Sequence, residues 1–177
     1  MVTKESKKIK KIEENDGAKV PYLRKKKLSN HNAKTMDVIR DLFEKYISKN
    51  KNFKKIILLQ PTSPLRDFND IDKSISLFNS KKADYVTSLC ETKPKNWFFQ
   101  IKKDKKIKLN NFNQLKKVEK TKNYLLNGAI YIYDIKVFKK KNLSIKKPFA
   151  YIMNNKKFVD IDNSFDLSIA KFLKKFI

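Results

Sequence analysis

The chain has 177 residues, 40% of them hydrophobic and 34% charged, with a formal net charge of +25. That length supports one domain with a buried core, and that apolar content excludes a disordered chain. No run of about eighteen apolar residues exists, which excludes a membrane-spanning helix, and the one cysteine, Cys90, excludes an internal disulfide and fits a reducing cytoplasm.

In chain order, Met1 to Lys11 carries lysines without an apolar core, unlike a signal peptide. Lys4 to Asn15 reads as an amphipathic helix with Ile9 and Ile12 on one face and Gly17 as its stop. Ala18 to Leu23 reads as a short strand, and Arg24 to Lys34, with the lone histidine His31, as a polar loop. Thr35 is the expected N-cap of a helix whose Val38, Ile39, Leu42, Phe43 and Tyr46 recur at helical spacing. A strand follows over Lys55 to Leu59, then a loop with two prolines. Asp67 or Asn69 caps a helix with Ile71, Ile75 and Phe78 inward. Asp84 to Cys90 is a strand in which Cys90 is a small buried hydrophobe. Lys93 to Leu126 sets Trp97, Phe98 and Phe99 among lysines and reads as an excursion from the core.

Gly128 to Tyr133 is a strong strand, and Asp134 caps a short helix. Ala150 to Met153 and Phe158 to Ile161 are further strand candidates. Asn163, with Asp166 three residues on, caps a last helix with Phe165, Ile169, Phe172 and Leu173 inward. Strands alternating with helices predict a single α/β domain over residues 1–177 with a mainly parallel, doubly wound sheet.

The positive charge invites a nucleic-acid reading, which the residue types disfavour. Of 43 basic residues all but Arg24, Arg40 and Arg66 are lysines, scattered through every segment. Base readout and bidentate phosphate grip favour arginine in one patch.

Four stretches carry residues suited to chemistry. The first is Gln60-Pro61-Thr62-Ser63-Pro64-Leu65-Arg66, directly after an apolar strand. Two prolines keep this stretch from continuing the ladder or entering a helix, so it forms a rigid loop at a strand's carboxyl end, where open α/β sheets bind ligands. The second is Asp160-Ile161-Asp162. Residues two apart on a strand share a face, so the two carboxylates either share a cation such as Mg²⁺ or belong to a helix-entry turn. The third is Asn127-Gly128-Ala129-Ile130-Tyr131, where Gly128 permits close approach; it reads equally as a ligand wall or as a turn before a core strand. The fourth is Arg24 with Thr35, flanking a polar loop that suits phosphate or ribose, or simply solvent. No Gly-rich phosphate loop, Ser/His/Asp set or Cys/His metal spacing is present.

These stretches in their order resemble the acylneuraminate cytidylyltransferases. Leu58 to Arg66 matches that family's "LLQPTSPLR" signature, Asn127 to Ile132 its "NGAIYI", and Asp160 to Asp166 its "DIDxxxD". Ala18 to Leu28 resembles its "GAxVPFLRPxxL" segment, and Val2 to Ile9 a strand end and turn. The resemblance implies a nucleotide-diphospho-sugar-transferase-like fold and transfer of CMP from CTP to a nonulosonic acid with release of pyrophosphate. It implies Mg²⁺ held by Asp160 and Asp162, the catalytic pair. It places the nucleotide at Arg24, Ala33 and Thr35, and the sugar at Gln60, Thr62, Ser63, Asn127 and Tyr131. It makes 93–126 a β-rich dimerisation arm and the protein a cytoplasmic homodimer without membrane contact. Which nonulosonic acid is used stays open.

Departures from the family pattern qualify the activity. Its first phosphate-gripping loop, of the type "ARxGSKxxPxKN", has no counterpart here, so the resemblance implies a sheet lacking its first strands, with unpaired edges on either side of the gap. Glu5, Lys25, Asn96 and Leu125 replace residues common in the family. The expectation is negligible turnover by residues 1–177 alone. The alternative is a nucleotide-binding or dimerising protein without catalysis.

Overall fold

The computed structural model describes residues 6–30, 32–47, 49, 53–93, 100–101, 103, 105–108, 122–139 and 144–177. The expectations for Val2 to Glu5, His31 and Asn96 to Phe99, and for most of 93–126, lie outside them. The chain forms two compact units, residues 1–54 with 138–143, and residues 55–137 with 144–177.

In the first unit, α1 spans Lys7–Asn15. It starts where Ser6 Oγ accepts the Ile9 N–H at 3.4 Å. It stops before Gly17, whose φ of +83° suits a residue without Cβ. No strand forms over Ala18 to Leu23, where only Leu23 is a bridge residue. Pro21 brings no N–H to a ladder in the middle of that short run, which weakens it as a strand. Helix α2 spans Thr35–Leu42 and runs on as a π turn over Phe43–Ile47. Its capping position is Lys34, without a side-chain bond, so Thr35 is the first helical residue and not the expected N-cap. Ile39 and Phe43 are buried, as their spacing predicts. The rings of Phe43 and Phe138 lie 5.8 Å apart.

The second unit is built on a four-stranded sheet. Its strands are β1 (Lys55–Leu58), β2 (Tyr85–Thr92), β5 (Asn123–Asp134) and β6 (Pro148–Ile152), in the order β1-β5-β2-β6. A separate antiparallel pair joins β3 (Gln100–Ile101) to β4 (Ile107–Lys108). Strand β2 pairs in parallel with β6, but β5 runs antiparallel to both β1 and β2. The sheet is therefore mixed: β1, β2 and β6 share a direction, and the long β5 runs against them. Short periodic segments announce strands, but their relative direction is set by the connections.

Helix α3 (Phe68–Ser80) covers one face of this sheet. Phe78, Val86, Cys90, Ala129, Ile130, Ile132 and Met153 form the core, with Ile57, Ile71, Ile75, Phe149 and Tyr151 packed against them. Alternate residues of β5 and β2 feed this layer because successive strand side chains point to opposite faces. Burying each Ile or Val of the core contributes roughly 1.5–3 kcal/mol. Asp84 fastens the start of β6, accepting the N–H groups of Lys146 at 2.6 Å and Lys147 at 2.9 Å. Asp134 Oδ1 accepts the Lys136 N–H at 2.7 Å and opens the short helix α4 (Lys136–Lys139), as predicted.

Helix α5 (Ser164–Leu173) begins with the predicted capping box of Asn163 and Asp166. Its Ala170, with Ile169 and Leu173, packs on Leu65 and Val159. Phe165 and Phe172, expected to face inward, are 71% and 59% exposed. The inward arc of the helix is taken by Ala170, Ile169 and Leu173, and the two rings lie outside it. Phe158 to Ile161 is not a strand: it starts with turn bonds, from the Phe158 N–H to the Asn155 carbonyl and from the Val159 N–H to the Lys157 carbonyl, and the Ile161 N–H donates to the Thr62 carbonyl at 2.8 Å instead of to a sheet neighbour.

Candidate functional site

The second unit brings three of the four predicted stretches to one point, the α-carbon of Gly128. Its φ is +71°. A methyl group placed there would stand 2.8 Å from Gln60 Oε1, 3.0 Å from Ser63 Oγ and 3.8 Å from Asp160 Oδ2. Glycine is required here twice over, for its left-handed backbone and for the space.

The bulge in β5 explains why Gly128 reaches the loop. Tyr131 pairs with Thr87 and Leu126 with Leu89, so Asn127 to Ile130 stand opposite Ser88 alone. The extra residues push out of the ladder, and a bulge of this kind re-aims side chains at a sheet's functional end. Ser88 fills the gap the bulge leaves. Its hydroxyl donates to Asn127 Oδ1 at 2.6 Å and accepts the Ile130 N–H at 2.8 Å. Asn127 Oδ1 also takes the Ala129 N–H at 3.2 Å. The amide nitrogen of Asn127 points to Met153 Sδ at 3.0 Å and Cys90 Sγ at 3.4 Å. Asn127 is thus buried behind the site, with its polar atoms committed to shaping the bulge.

The proline loop is rigid for an equally specific reason. The Arg66 guanidinium donates through Nη1 to the carbonyls of Gln60, at 2.7 Å, and of Ser63. Burial lowers the pKa of Arg66 from its ordinary value. Ser63 is itself buried and donates to the Asn127 carbonyl at 3.0 Å, which ties the loop to the bulge. Thr62 and Gln60 are half-buried. Tyr131 is half-buried too; burial first, then the neighbouring Tyr85 and the charge of Asp160, raises its phenol pKa.

Asp160 and Asp162 are exposed. The Asp162 N–H is held at 3.0 Å by Asp166 Oδ2, so the DIDxxxD spacing serves the α5 cap as well. Among the described residues no group of three His, Cys, Asp or Glu side chains could enclose a metal ion. Asp160 still fits one role: an exposed carboxylate beside an amide and a hydroxyl suits Mg²⁺, which keeps waters and takes its other ligands from substrate phosphates. Arg24 and Ala33, both half-buried, and Thr35, exposed, belong to the first unit.

Two side chains that tie these segments of the second unit together carry no sequence signal. Ser88 is one small polar residue in an apolar run. Lys157 is one lysine among many; its ammonium lies 2.7 Å from both Asp67 Oδ2 and Asp70 Oδ2.

No family model matches the chain. It is 26% identical over 176 residues to the CMP-N,N'-diacetyllegionaminic acid synthase of Legionella pneumophila, which covers 97% of this chain and 75% of that protein. It is 27% identical over 148 residues to the N-acylneuraminate cytidylyltransferases of Streptococcus agalactiae serotypes III and Ia, covering 81% of this chain and 35% of each of theirs. The chain therefore spans about three-quarters of the first relative and about a third of the others. No helix among the described residues is long and apolar enough to cross a membrane.

Proposed function

We propose, for a chain that is a distant relative of CMP-legionaminate and CMP-neuraminate synthases, that its second unit carries a cytidylyl-transfer site for CTP and a nonulosonic acid. The convergence of Gln60, Ser63 and Asp160 on Gly128 is the observation that supports this reading most directly. An acceptor sugar offers hydroxyl and amide groups, and the loop from Gln60 to Ser63 offers matching polar atoms on a backbone fastened by Arg66.

In this reading the anomeric hydroxyl oxygen of the sugar bonds to the α-phosphorus of CTP. The bond from that phosphorus to the bridging oxygen of the β-phosphate breaks, pyrophosphate leaves, and the hydroxyl proton passes to water. Such a displacement needs positioning and charge neutralisation above all. Mg²⁺ bound at Asp160, with Asp162 as its partner, would supply that neutralisation. Gln60, Thr62 and Tyr131 hold the acceptor. Asn127 and Ser63 act from behind, by fixing the bulge and the loop.

One observation favours a second reading, nucleotide binding with little turnover. The two cations nearest the site in sequence are already committed, Arg66 to loop carbonyls and Lys157 to Asp67 and Asp70. A triphosphate would depend on the metal and on groups outside this loop.

Calorimetry with CTP and Mg²⁺ tests both readings, together with pyrophosphate release in the presence of N-acetylneuraminate or diacetyllegionaminate. Nucleotide binding that weakens at least about tenfold in Asp160→Asn is the expected result. Pyrophosphate release then separates an enzyme from a binding protein. If CTP does not bind while DNA does, with a steep salt dependence, the site assignment is wrong and the lysine-rich surface is the functional feature.

A further inference from the structure

We propose that Lys157 is a positioning residue, which sets the distance between the Asp160 carboxylate and the Gln60 to Ser63 loop. The inference deepens the preceding reading and rests on it for the role of Asp160.

Two chain segments make the two sides of the site. One is the loop from Gln60 to Arg66; the other is the segment from Phe158 to Asp162. Neither is part of the sheet, so no ladder sets their spacing. Three attachments do. The Ile161 N–H donates to the Thr62 carbonyl at 2.8 Å. Val159 packs with Leu65 and Ala170. The third is Lys157, three residues before Asp160, whose ammonium donates at 2.7 Å to Asp67, the residue that follows Arg66, and at 2.7 Å to Asp70.

The third attachment differs from the others in kind. Asp67 and Asp70 already hold each other's backbone N–H groups in the capping box of α3, at 3.0 and 3.1 Å. Asp70 is buried, and its second oxygen takes the Tyr151 hydroxyl at 3.0 Å. The two carboxylates are therefore locked in place whether or not a cation is present. Lys157, whose side chain is only 14% exposed, is the cation that balances them. Its hydrogen bond to Asp67 leads in holding that carboxyl down at about pKa 2. A mobile lysine would leave two fixed carboxylates uncompensated, one of them buried, which is costly. The electrostatics of the α3 cap thus pin the main chain at residue 157, and Asp160, with an exposed side chain, depends on that main chain for its place.

The test uses the full chain and two readouts. Amide exchange of Ile161 reports the attachment between the segments, with Ile130 in β5 as internal reference. Calorimetric titration of CTP with Mn²⁺ reports the site. Lys157→Met is expected to speed Ile161 exchange at least about tenfold against Ile130 and to weaken CTP·Mn²⁺ binding by a similar factor. Lys157→Arg restores both, and Lys156→Met, at the exposed neighbour, changes neither. If Lys157→Met fails to fold by circular dichroism, the triple variant Asp67→Asn/Asp70→Asn/Lys157→Met removes the uncompensated charge and is measured in its place, with the same expectation. Unchanged Ile161 exchange and unchanged binding in the folded variant overturn the proposal. Lys157-dependent exchange in a wild-type chain that binds no CTP·Mn²⁺ refutes the role of Asp160 and with it the functional part of the proposal, while the attachment itself stands.

Discussion

Gly128→Ala perturbs the site by one methyl group, and the structure says what that methyl meets. The backbone at φ +71° is left-handed, and a residue with Cβ is held there at a cost of about 1–2 kcal/mol. The new carbon would lie 2.8 Å from Gln60 Oε1 and 3.0 Å from Ser63 Oγ. These two neighbours respond differently. Gln60 Oε1 is the end of a flexible, half-buried side chain and swings away at little cost. Ser63 is buried and its hydroxyl is bonded to the Asn127 carbonyl, so displacing it sacrifices a hydrogen bond worth roughly 1 kcal/mol. The sum is a destabilisation of about 2–3 kcal/mol, which lowers the melting temperature by roughly 5–10 °C in a chain of this size. The ligand effect is separate: if Gln60 holds the acceptor as proposed, its displacement weakens sugar binding beyond what the loss of stability accounts for. Urea titration followed by circular dichroism, with calorimetry on the same samples, measures both. A Gly128→Ala chain with wild-type urea midpoint and wild-type ligand affinity would refute the argument that this position is closed to a side chain.

Ser88→Ala leaves the Ile130 N–H and Asn127 Oδ1 without the hydroxyl that joins them, and is expected to cost about 1–3 kcal/mol in chemical denaturation. Because the Asp67 carboxyl is held near pKa 2, its contribution to stability is present above the ordinary carboxylate range near 3.9 and is lost as pH falls through about 2. Asp67→Asn should therefore flatten the acid limb of a stability profile between about pH 4 and 2 and leave the neutral region less stable. Asn163→Ala removes the α5 cap, whose side chain takes the Phe165 and Asp166 N–H groups at 2.9 and 3.1 Å, at a cost of about 1 kcal/mol by thermal melting. Phe165→Ser, at an exposed position, is expected to stay within about 0.5 kcal/mol of wild type, whereas an inward-facing phenylalanine would cost several times that.

Much of the site was legible in the chain because its signals are local. Two prolines end a strand within a few residues, and Asn163, like one of the pair Asp67 and Asn69, announces a helix start through hydrogen bonds to residues two or three positions away. Gly128 stands out because the chain has only 2 glycines. The convergence of Gln60, Ser63, Gly128 and Asp160 agrees with these signals and with the resemblance they carry. The misreadings share a cause. Ala18 to Leu23 and Phe158 to Ile161 have strand-like side chains, yet strand identity depends on a partner that no local pattern supplies. Phe165 and Phe172 fit the period of α5, yet which arc of a helix is covered depends on what stands next to it.

Sequence alone determined the elements whose energetics close within a few residues: the cap of α5, the αL stop at Gly17, the rigid loop after β1 and the α/β alternation; for α3 it offered Asp67 or Asn69, and the structure takes Asp67. Only the tertiary structure decided the direction of β5, the bulge over Ser88, the inward turn of the Asn127 amide and the grip of Lys157 on Asp67 and Asp70. Each of these joins residues dozens of positions apart, such as Ser88 with Asn127 or Lys157 with Asp67. Such contacts form only after the chain has closed long loops and buried the groups concerned, so the choice among many serines or lysines is made by packing and by the cost of leaving a buried polar group unpaired.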